Sequence, residues 1–77
     1  MPDIGKRVSS VLATKLHVQG DRITDAAAFS DLAATSLDMV ETVTSLEDEF
    51  AIEISDREAE NLHTVGDVTA LVRRKLH

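Results

Sequence analysis

The sequence contains no cysteine, only three glycines and only two aromatic residues, both phenylalanines, among its 77 residues. Without cysteine, neither a disulfide framework nor a cysteine-ligated zinc site can stabilise the chain. The three glycines are far apart in the sequence, which excludes a glycine-rich loop that cradles phosphate. The core must therefore be mostly aliphatic. At this length we expect one small domain over residues 1–77, with no room for a buried active site.

Basic residues are also scarce, and the charges are unevenly distributed. Eight lysines and arginines stand against fourteen aspartates and glutamates, which gives a net charge of −6. This charge disfavours nucleic acid as a partner and favours a basic protein surface. Nine of the acids lie between Asp38 and Glu60, where Arg57 is the only base. No apolar run approaches the roughly 18 residues of a membrane span, so we expect a soluble, cytoplasmic, monomeric protein.

Apolar residues recur at helical spacing near the start of the chain. With Asp3 as the N-cap, the pattern predicts a helix over residues 3–16. Gly20 follows this helix and is expected to end it. Residues 17–35 then show no sustained period, which indicates a long loop with at most one helical turn. We expect Ile23 and Phe29 to hold this loop against the core.

Three later segments contain a hydroxyl-bearing residue followed three positions later by an acid, which is the pattern of a helix capping box. These segments are Thr35–Asp38, Ser55–Glu58 and Thr64–Asp67. The first predicts a helix to about Phe50, capped by Thr35 or Ser36, and the second predicts a short helix to about Asn61. The third begins a helix whose apolar stripe is Val68, Leu71, Val72 and Leu76. Its last turn is basic, which suits a helix C-terminus.

The central helix is amphipathic, and its two faces can be assigned from 3.6 residues per turn. The face expected to pack contains Met39, Val40, Val43, Leu46 and Phe50. The face expected to meet solvent or a partner contains Asp38, Glu41, Thr42, Ser45, Asp48 and Glu49. Glu47 falls on the apolar face, so we expect it to lie beyond the edge of the core. With no strand pattern and no repeat, the chain is predicted to be an all-α four-helix bundle with three main helices and one short helix.

Little in the sequence indicates catalysis or metal binding. His17, His63 and His77 are far apart and have no acid or histidine at ligand spacing, so we expect no metal site. Ser36 has no neighbouring base to activate it as a nucleophile, and its local sequence is that of a helix cap. A helix N-terminus nevertheless presents free N–H groups and partial positive charge, so a phosphate ester on Ser36 would be favourably placed.

Four blocks of sequence resemble the acyl carrier protein family over residues 4–72. The blocks are Asp31–Glu41, Leu46–Phe50, Ile54–Glu60 and Thr64–Asp67. The first two are similar to the family's usual Asp-Leu-Gly-x-Asp-Ser-Leu and its downstream Leu-Glu-x-x-Phe. The resemblance implies that a phosphopantetheinyl transferase attaches pantetheine 4'-phosphate from coenzyme A covalently to Ser36.

The same resemblance implies a carrier that is not an enzyme and has no catalytic residues of its own. The terminal thiol of the attached arm would carry an acyl group as a thioester to fatty-acid, lipid or polyketide-type enzymes with basic surfaces. Family partners dock on and beside the second helix, at positions that match Leu37, Asp38, Val40, Glu41, Glu47, Asp48 and Ile54.

The chain departs from the family pattern at several positions. Thr35 replaces the usual aspartate before the serine, Ala33 replaces a glycine, and Thr44 stands where a bulky apolar partner contact is common. These departures favour a specialised carrier over a housekeeping one. Thr35 also leaves open an alternative, an unmodified helical interaction module whose acidic helix docks partners and whose serine only caps the helix.

Overall fold

The computed structural model describes residues 3–76, and within this range the chain forms four α-helices and one 3₁₀ turn. The elements are α1 (Ile4–Leu16), the 3₁₀ turn (Gly20–Arg22), α2 (Ser36–Phe50), α3 (Asp56–Glu60) and α4 (Val65–Lys75). The described residues include no strand, only one isolated bridge between Ala28 and Thr64. The predicted all-α four-helix architecture is therefore confirmed. None of these helices is long and apolar enough to cross a membrane.

Each helix begins at a side chain that accepts a hydrogen bond from the first-turn backbone. The Asp3 carboxylate accepts the Gly5 N–H, and all three predicted capping boxes form. In α2 the cap is Thr35, which has extended backbone angles of −86° and 170°, and Ser36 is the first helical residue. The interpretation of Ser36 as a cap is therefore wrong. Its hydroxyl is left without a structural role at the helix start.

Three chain reversals share one geometry, in which a residue other than glycine adopts the left-handed conformation. These residues are His17, Ala33 and Ala51, with φ of 57°, 58° and 54°. In each case the following N–H donates to the carbonyl five positions back: Val18 to Ala13, Ala34 to Phe29 and Ile52 to Glu47. This 6→1 bond is the Schellman closure of a helical turn. The prediction that Gly20 ends α1 was wrong, because His17 ends it.

The core lies where α1 packs on α2 and on α4. Its buried apolar residues are Val8, Leu12, Leu16, Ile23, Phe29, Leu32, Leu46, Phe50, Ile54, Leu62, Val65, Val68, Leu71 and Val72. The predicted stripe on α4 holds except at Leu76, which is 44% exposed.

The buried face of α2 is rotated from the predicted one. Thr42 is fully buried although it was assigned to the solvent face, and Val40 is 63% exposed although it was assigned to the core. The Thr42 hydroxyl donates to the Asp38 carbonyl at 2.7 Å, so its polar group is satisfied within the helix and its methyl group can pack. Glu47 is half-buried, and its carboxylate accepts the Ile54 N–H at 2.9 Å.

The long loop between α1 and α2 is fixed by packing and by backbone hydrogen bonds. Ile23 and Phe29 are buried, as predicted. The loop also pairs with the start of α4, because the Phe29 N–H donates to the His63 carbonyl and the Gly66 N–H donates to the Asp25 carbonyl at 2.9 Å. A Cβ atom at Gly66 would lie 3.0 Å from that carbonyl oxygen, so a larger residue there would force the loop backbone to shift by a few tenths of an ångström.

Arg7 joins α1 to the C-terminal end of α2. Its guanidinium donates to the Glu49 carboxylate at 2.9 Å and to the Glu49 carbonyl at 3.0 Å. It also lies over the Phe50 ring, 4.5 Å from the ring centre. One side chain therefore satisfies a carbonyl that the helix leaves unpaired, forms an ion pair and makes a cation–π contact.

We expect Ala51→Gly to stabilise the fold. The left-handed conformation costs an L-residue about 1–2 kcal/mol relative to the right-handed one, and glycine removes this cost. Glycine also increases the conformational entropy of the unfolded chain, which lowers the free energy of unfolding by about 0.4–1 kcal/mol. The net gain is up to about 1.6 kcal/mol, or several degrees in Tm, measurable by thermal denaturation followed by circular dichroism.

The matched control is Ala70→Gly, at an exposed position inside α4 with ordinary helical geometry. Glycine there should destabilise by about 1 kcal/mol. If Ala51→Gly lowers Tm as much as Ala70→Gly does, the left-handed strain at residue 51 is not a significant term.

Candidate functional site

Ser36 lies at the N-terminal end of α2 with its side chain exposed. Within residues 3–76 its hydroxyl makes no hydrogen bond, and the backbone N–H groups of Ser36 and Leu37 have no acceptor. Free N–H groups at the positive end of a helix dipole stabilise an anion placed there. The serine therefore offers a free hydroxyl beside a backbone suited to a phosphodiester.

Two hydrogen bonds of the capping box fix the backbone on which Ser36 stands. The Thr35 hydroxyl accepts the Asp38 N–H at 3.1 Å, and the Asp38 carboxylate accepts the Thr35 N–H at 3.0 Å. Thr42 bonds to the carbonyl of the same aspartate. Threonine in place of aspartate at residue 35 thus preserves the cap while removing one negative charge beside Ser36.

A surface groove of about 570 Å³ begins at Ser36 and runs between α2 and α3. The α2 wall contains Met39, Val40, Val43 and Thr44 beyond the serine. The opposite wall contains Asp56, Ala59 and Glu60 of α3, and the groove is completed by Glu47 of α2 and by Ile54 of the segment that joins the two helices. A flexible group attached to Ser36 would find an apolar strip bordered by carboxylates directly beside it.

The residues predicted to dock partners fall into three groups. Among residues 3–76, Leu37 and Val40 are the most exposed large apolar side chains, at 66% and 63%, and Glu41 and Asp48 are exposed acids on the same helix. Asp38 and Glu47 are half-buried, and their carboxylates already accept backbone N–H groups. Ile54 is only 8% exposed and contributes to the groove from beneath.

The arrangement of titratable groups indicates neither metal binding nor autonomous catalysis. Residues 3–76 contain no cluster of three or more histidines, aspartates or glutamates suited to a metal ion, and His77 lies outside them. Ser36 is not hydrogen-bonded to any base in this part of the chain, so the pairing that activates a catalytic serine is not formed.

Comparison with known proteins agrees with this geometry. The family described as phosphopantetheine attachment site matches residues 6–72. The acyl carrier protein from Enterococcus faecalis is 33% identical and superposes with a TM-score of 0.79, covering 94% of this chain and 92% of that one. The acyl carrier protein from Thermotoga maritima is 27% identical with a TM-score of 0.80, covering 92% and 84%.

This chain belongs to the acyl carrier protein family. Domains of this family receive phosphopantetheine covalently, and they act as carriers and not as catalysts. The carrier therefore depends on a phosphopantetheinyl transferase to load it and on acyl-processing enzymes to use it.

The sequence alone did not predict the α3 wall of the groove, and it marked Thr44 only as a position where the family commonly has a bulky apolar partner contact. A signal was available for Thr44, because Ser36, Val40 and Thr44 are spaced four apart and lie on one line along α2. The α3 wall gave no such signal, because α3 is only five residues long and its position depends on contacts distant in sequence.

Two carboxylates of the capping boxes of α3 and α4 have lowered pKa values. The Ser55 backbone N–H and the Lys75 ammonium group both donate to Glu58 and lower its pKa from 4.5 to about 2. The backbone N–H groups of His63 and Thr64 likewise lower the pKa of Asp67. Both acids are the third residues of their helices, so capping keeps them ionised.

The low pKa of Glu58 makes stability depend on pH in a defined window. Because its pKa is lower in the folded chain, ionised Glu58 stabilises the fold above pH 4.5, and this contribution is lost as the pH falls toward 2. In Glu58→Gln the amide oxygen keeps an acceptor for Ser55 but does not titrate. We expect the Tm of the wild type to exceed that of the variant at pH 6 and the two to converge near pH 2.

Thermal melts from pH 2 to pH 7 test this expectation. Asp67 titrates in both proteins, so its effect cancels in the difference. A Tm difference that stays constant across this range would contradict the assigned role of Glu58.

Proposed function

We propose that this acyl carrier protein carries its phosphopantetheine on Ser36 and uses the arm to deliver acyl groups, as thioesters, to fatty-acid, lipid or polyketide-type enzymes in the cytoplasm. The observation that supports the assignment is an exposed, unbonded serine hydroxyl at the start of α2, inside the family match and at the mouth of the groove.

The loading step needs only what the Ser36 region offers. The serine oxygen forms a bond to the phosphorus nearest the pantetheine of coenzyme A, the diphosphate P–O bond breaks, and adenosine 3',5'-bisphosphate leaves. The hydroxyl proton passes to a base of the transferase, since the carrier supplies none. The free N–H groups of Ser36 and Leu37 then stabilise the phosphodiester oxygens.

Partner docking is the second part of this proposal. Leu37 and Val40 form an exposed apolar pair beside Ser36, and Glu41 and Asp48 supply charge on the same helix. The remaining residues predicted to dock act mainly by shaping the surface that partners meet. Asp38 fixes the first turn of α2, and Glu47 and Ile54 line the groove. A monomer would present this surface to one basic partner at a time.

The first test is loading by a promiscuous phosphopantetheinyl transferase with coenzyme A. The wild type should gain the mass of one phosphopantetheine, and Ser36→Ala should gain none while keeping its helical circular dichroism spectrum. Ser30→Ala is the matched control, because Ser30 is an exposed serine of the preceding loop. An unchanged wild-type mass, under conditions that fully load a known carrier, would instead favour the unmodified interaction module.

The second test concerns the acidic docking surface. In Glu41→Lys/Asp48→Lys, loading of Ser36 should slow on the order of tenfold at low salt, because the reversed charges no longer steer a basic partner. Raising the salt to a Debye length of about 8 Å or less should shrink the difference. Stopped-flow or quenched loading assays give the rates.

A charge-matched control separates local docking from net charge. Asp21→Lys/Asp25→Lys changes the net charge equally, but these exposed acids lie in the α1–α2 loop and not beside the groove. Equal slowing of the two double variants would show that net charge, and not the α2 surface, governs the encounter.

A further inference from the structure

The helix α3 is attached to the bundle in a different way from the other three helices. None of its five residues is fully buried, and Ala59 is its only apolar side chain packed against the core. Ile54 and Leu62, which flank it, are both buried. Apolar packing therefore anchors α3 at its two ends but hardly along its length.

One ion pair joins α3 directly to another helix. The Lys75 ammonium nitrogen lies 2.9 Å from both carboxylate oxygens of Glu58. Among residues 3–76 this is the only side-chain hydrogen bond between α3 and another helix. The same carboxylate accepts the Ser55 N–H at the start of α3, so one side chain holds both the helix start and its tie to the end of α4.

The surroundings of Lys75 make this pair important for the position of α3. A surface depression brings Glu47, Glu53 and Glu58 together with Lys75, which is the only cation among the described residues that line it. Without the ammonium group, these carboxylates would repel one another and push α3 away from α2. Because the paired side chains are about one-third exposed, at 31% and 28%, the interaction is modest and sensitive to salt.

The position of α3 also sets the shape of the groove beside Ser36. Asp56, Ala59 and Glu60 of α3 form one wall of that groove, and Ser36 and Val40 stand on the other. A displacement of α3 away from α2 widens the groove, and its return narrows it. The last residue of α4 is in this way linked to the site at the start of α2.

We propose that the Glu58–Lys75 ion pair is a latch that holds α3 against the groove and controls how far a group linked to Ser36 is exposed to solvent and partners. The movement of α3 is inferred only from the contacts described above. The control of how far the linked group is exposed also depends on the proposed function. Conditions that weaken the pair, such as high salt or a competing cation from a docked partner, open the groove.

Amide hydrogen exchange measured by NMR on Ser36→Ala protein tests the latch without any attached group. Adding Lys75→Met should accelerate exchange of the α3 amides about two- to fivefold, the range expected for loss of one exposed ion pair. The buried amides of Leu12 and Leu46 in α1 and α2 should keep their rates. Lys75→Arg should retain slow exchange, and 1 M NaCl should accelerate α3 exchange only when residue 75 is lysine or arginine.

Arg74→Met is the matched control, because Arg74 is the adjacent exposed cation and makes no ion pair with the rest of residues 3–76. Unchanged α3 exchange in Lys75→Met, or equal acceleration in Arg74→Met, overturns the latch. Uniform acceleration at all amides also overturns it, since that result reports a general loss of stability.

A second measurement tests the effect on the linked group. In octanoyl-loaded carrier with Ser36 intact, Lys75→Met should speed cleavage of the thioester by hydroxylamine severalfold relative to wild type and Arg74→Met. Faster α3 exchange with unchanged cleavage would overturn control of exposure. If no variant can be loaded at Ser36, the proposed function fails, and hydrogen exchange still decides whether the latch exists.

Discussion

The unpaired backbone groups at helix ends are the constraint on which this small fold depends. A core of fourteen apolar side chains leaves little surplus stability, so each helix terminus must find partners close at hand. Three capping boxes and one aspartate each satisfy one first-turn N–H group of their helix. Left-handed residues close α1 and α2, and Arg7 covers a carbonyl at the end of α2. These local hydrogen bonds determine where α2 starts, and hence where Ser36 lies.

Features of this fold could be predicted from sequence when the residues that interact are close together in the chain. The capping boxes were predicted correctly because their partners are three residues apart. The buried face of α2 was misassigned because Thr42 satisfies its own hydroxyl within the helix and then packs as an apolar residue. The left-handed conformation at Ala51 has no sequence signal, since glycine is the residue that usually marks it, and at Ala33 the only signal is that the family usually has glycine there.

The same difference between interactions that are local and interactions that are distant in sequence applies to the candidate site. Ser36 and its neighbours could be proposed from sequence because the family block is contiguous, and the place of Ser36 at a helix start follows from local capping. The backbone hydrogen bond of the Glu47 carboxylate was not predictable from sequence. An acid that accepts a backbone N–H cannot be distinguished in sequence from an exposed acid. The groove needed the structure, since its second wall comes from a helix that buries no residue completely.

The pairing between the first loop and the start of α4 has a consequence for biosynthesis. The segment that leads into α2 takes hydrogen-bond partners from His63 and from the amides of Val65 and Gly66, which follow it in the chain by all of α2 and α3. During translation these partners emerge from the ribosome after α2 and α3. The loop ahead of Ser36 therefore lacks these hydrogen bonds until the start of α4 has emerged, and an enzyme that recognises this folded loop acts only after that point.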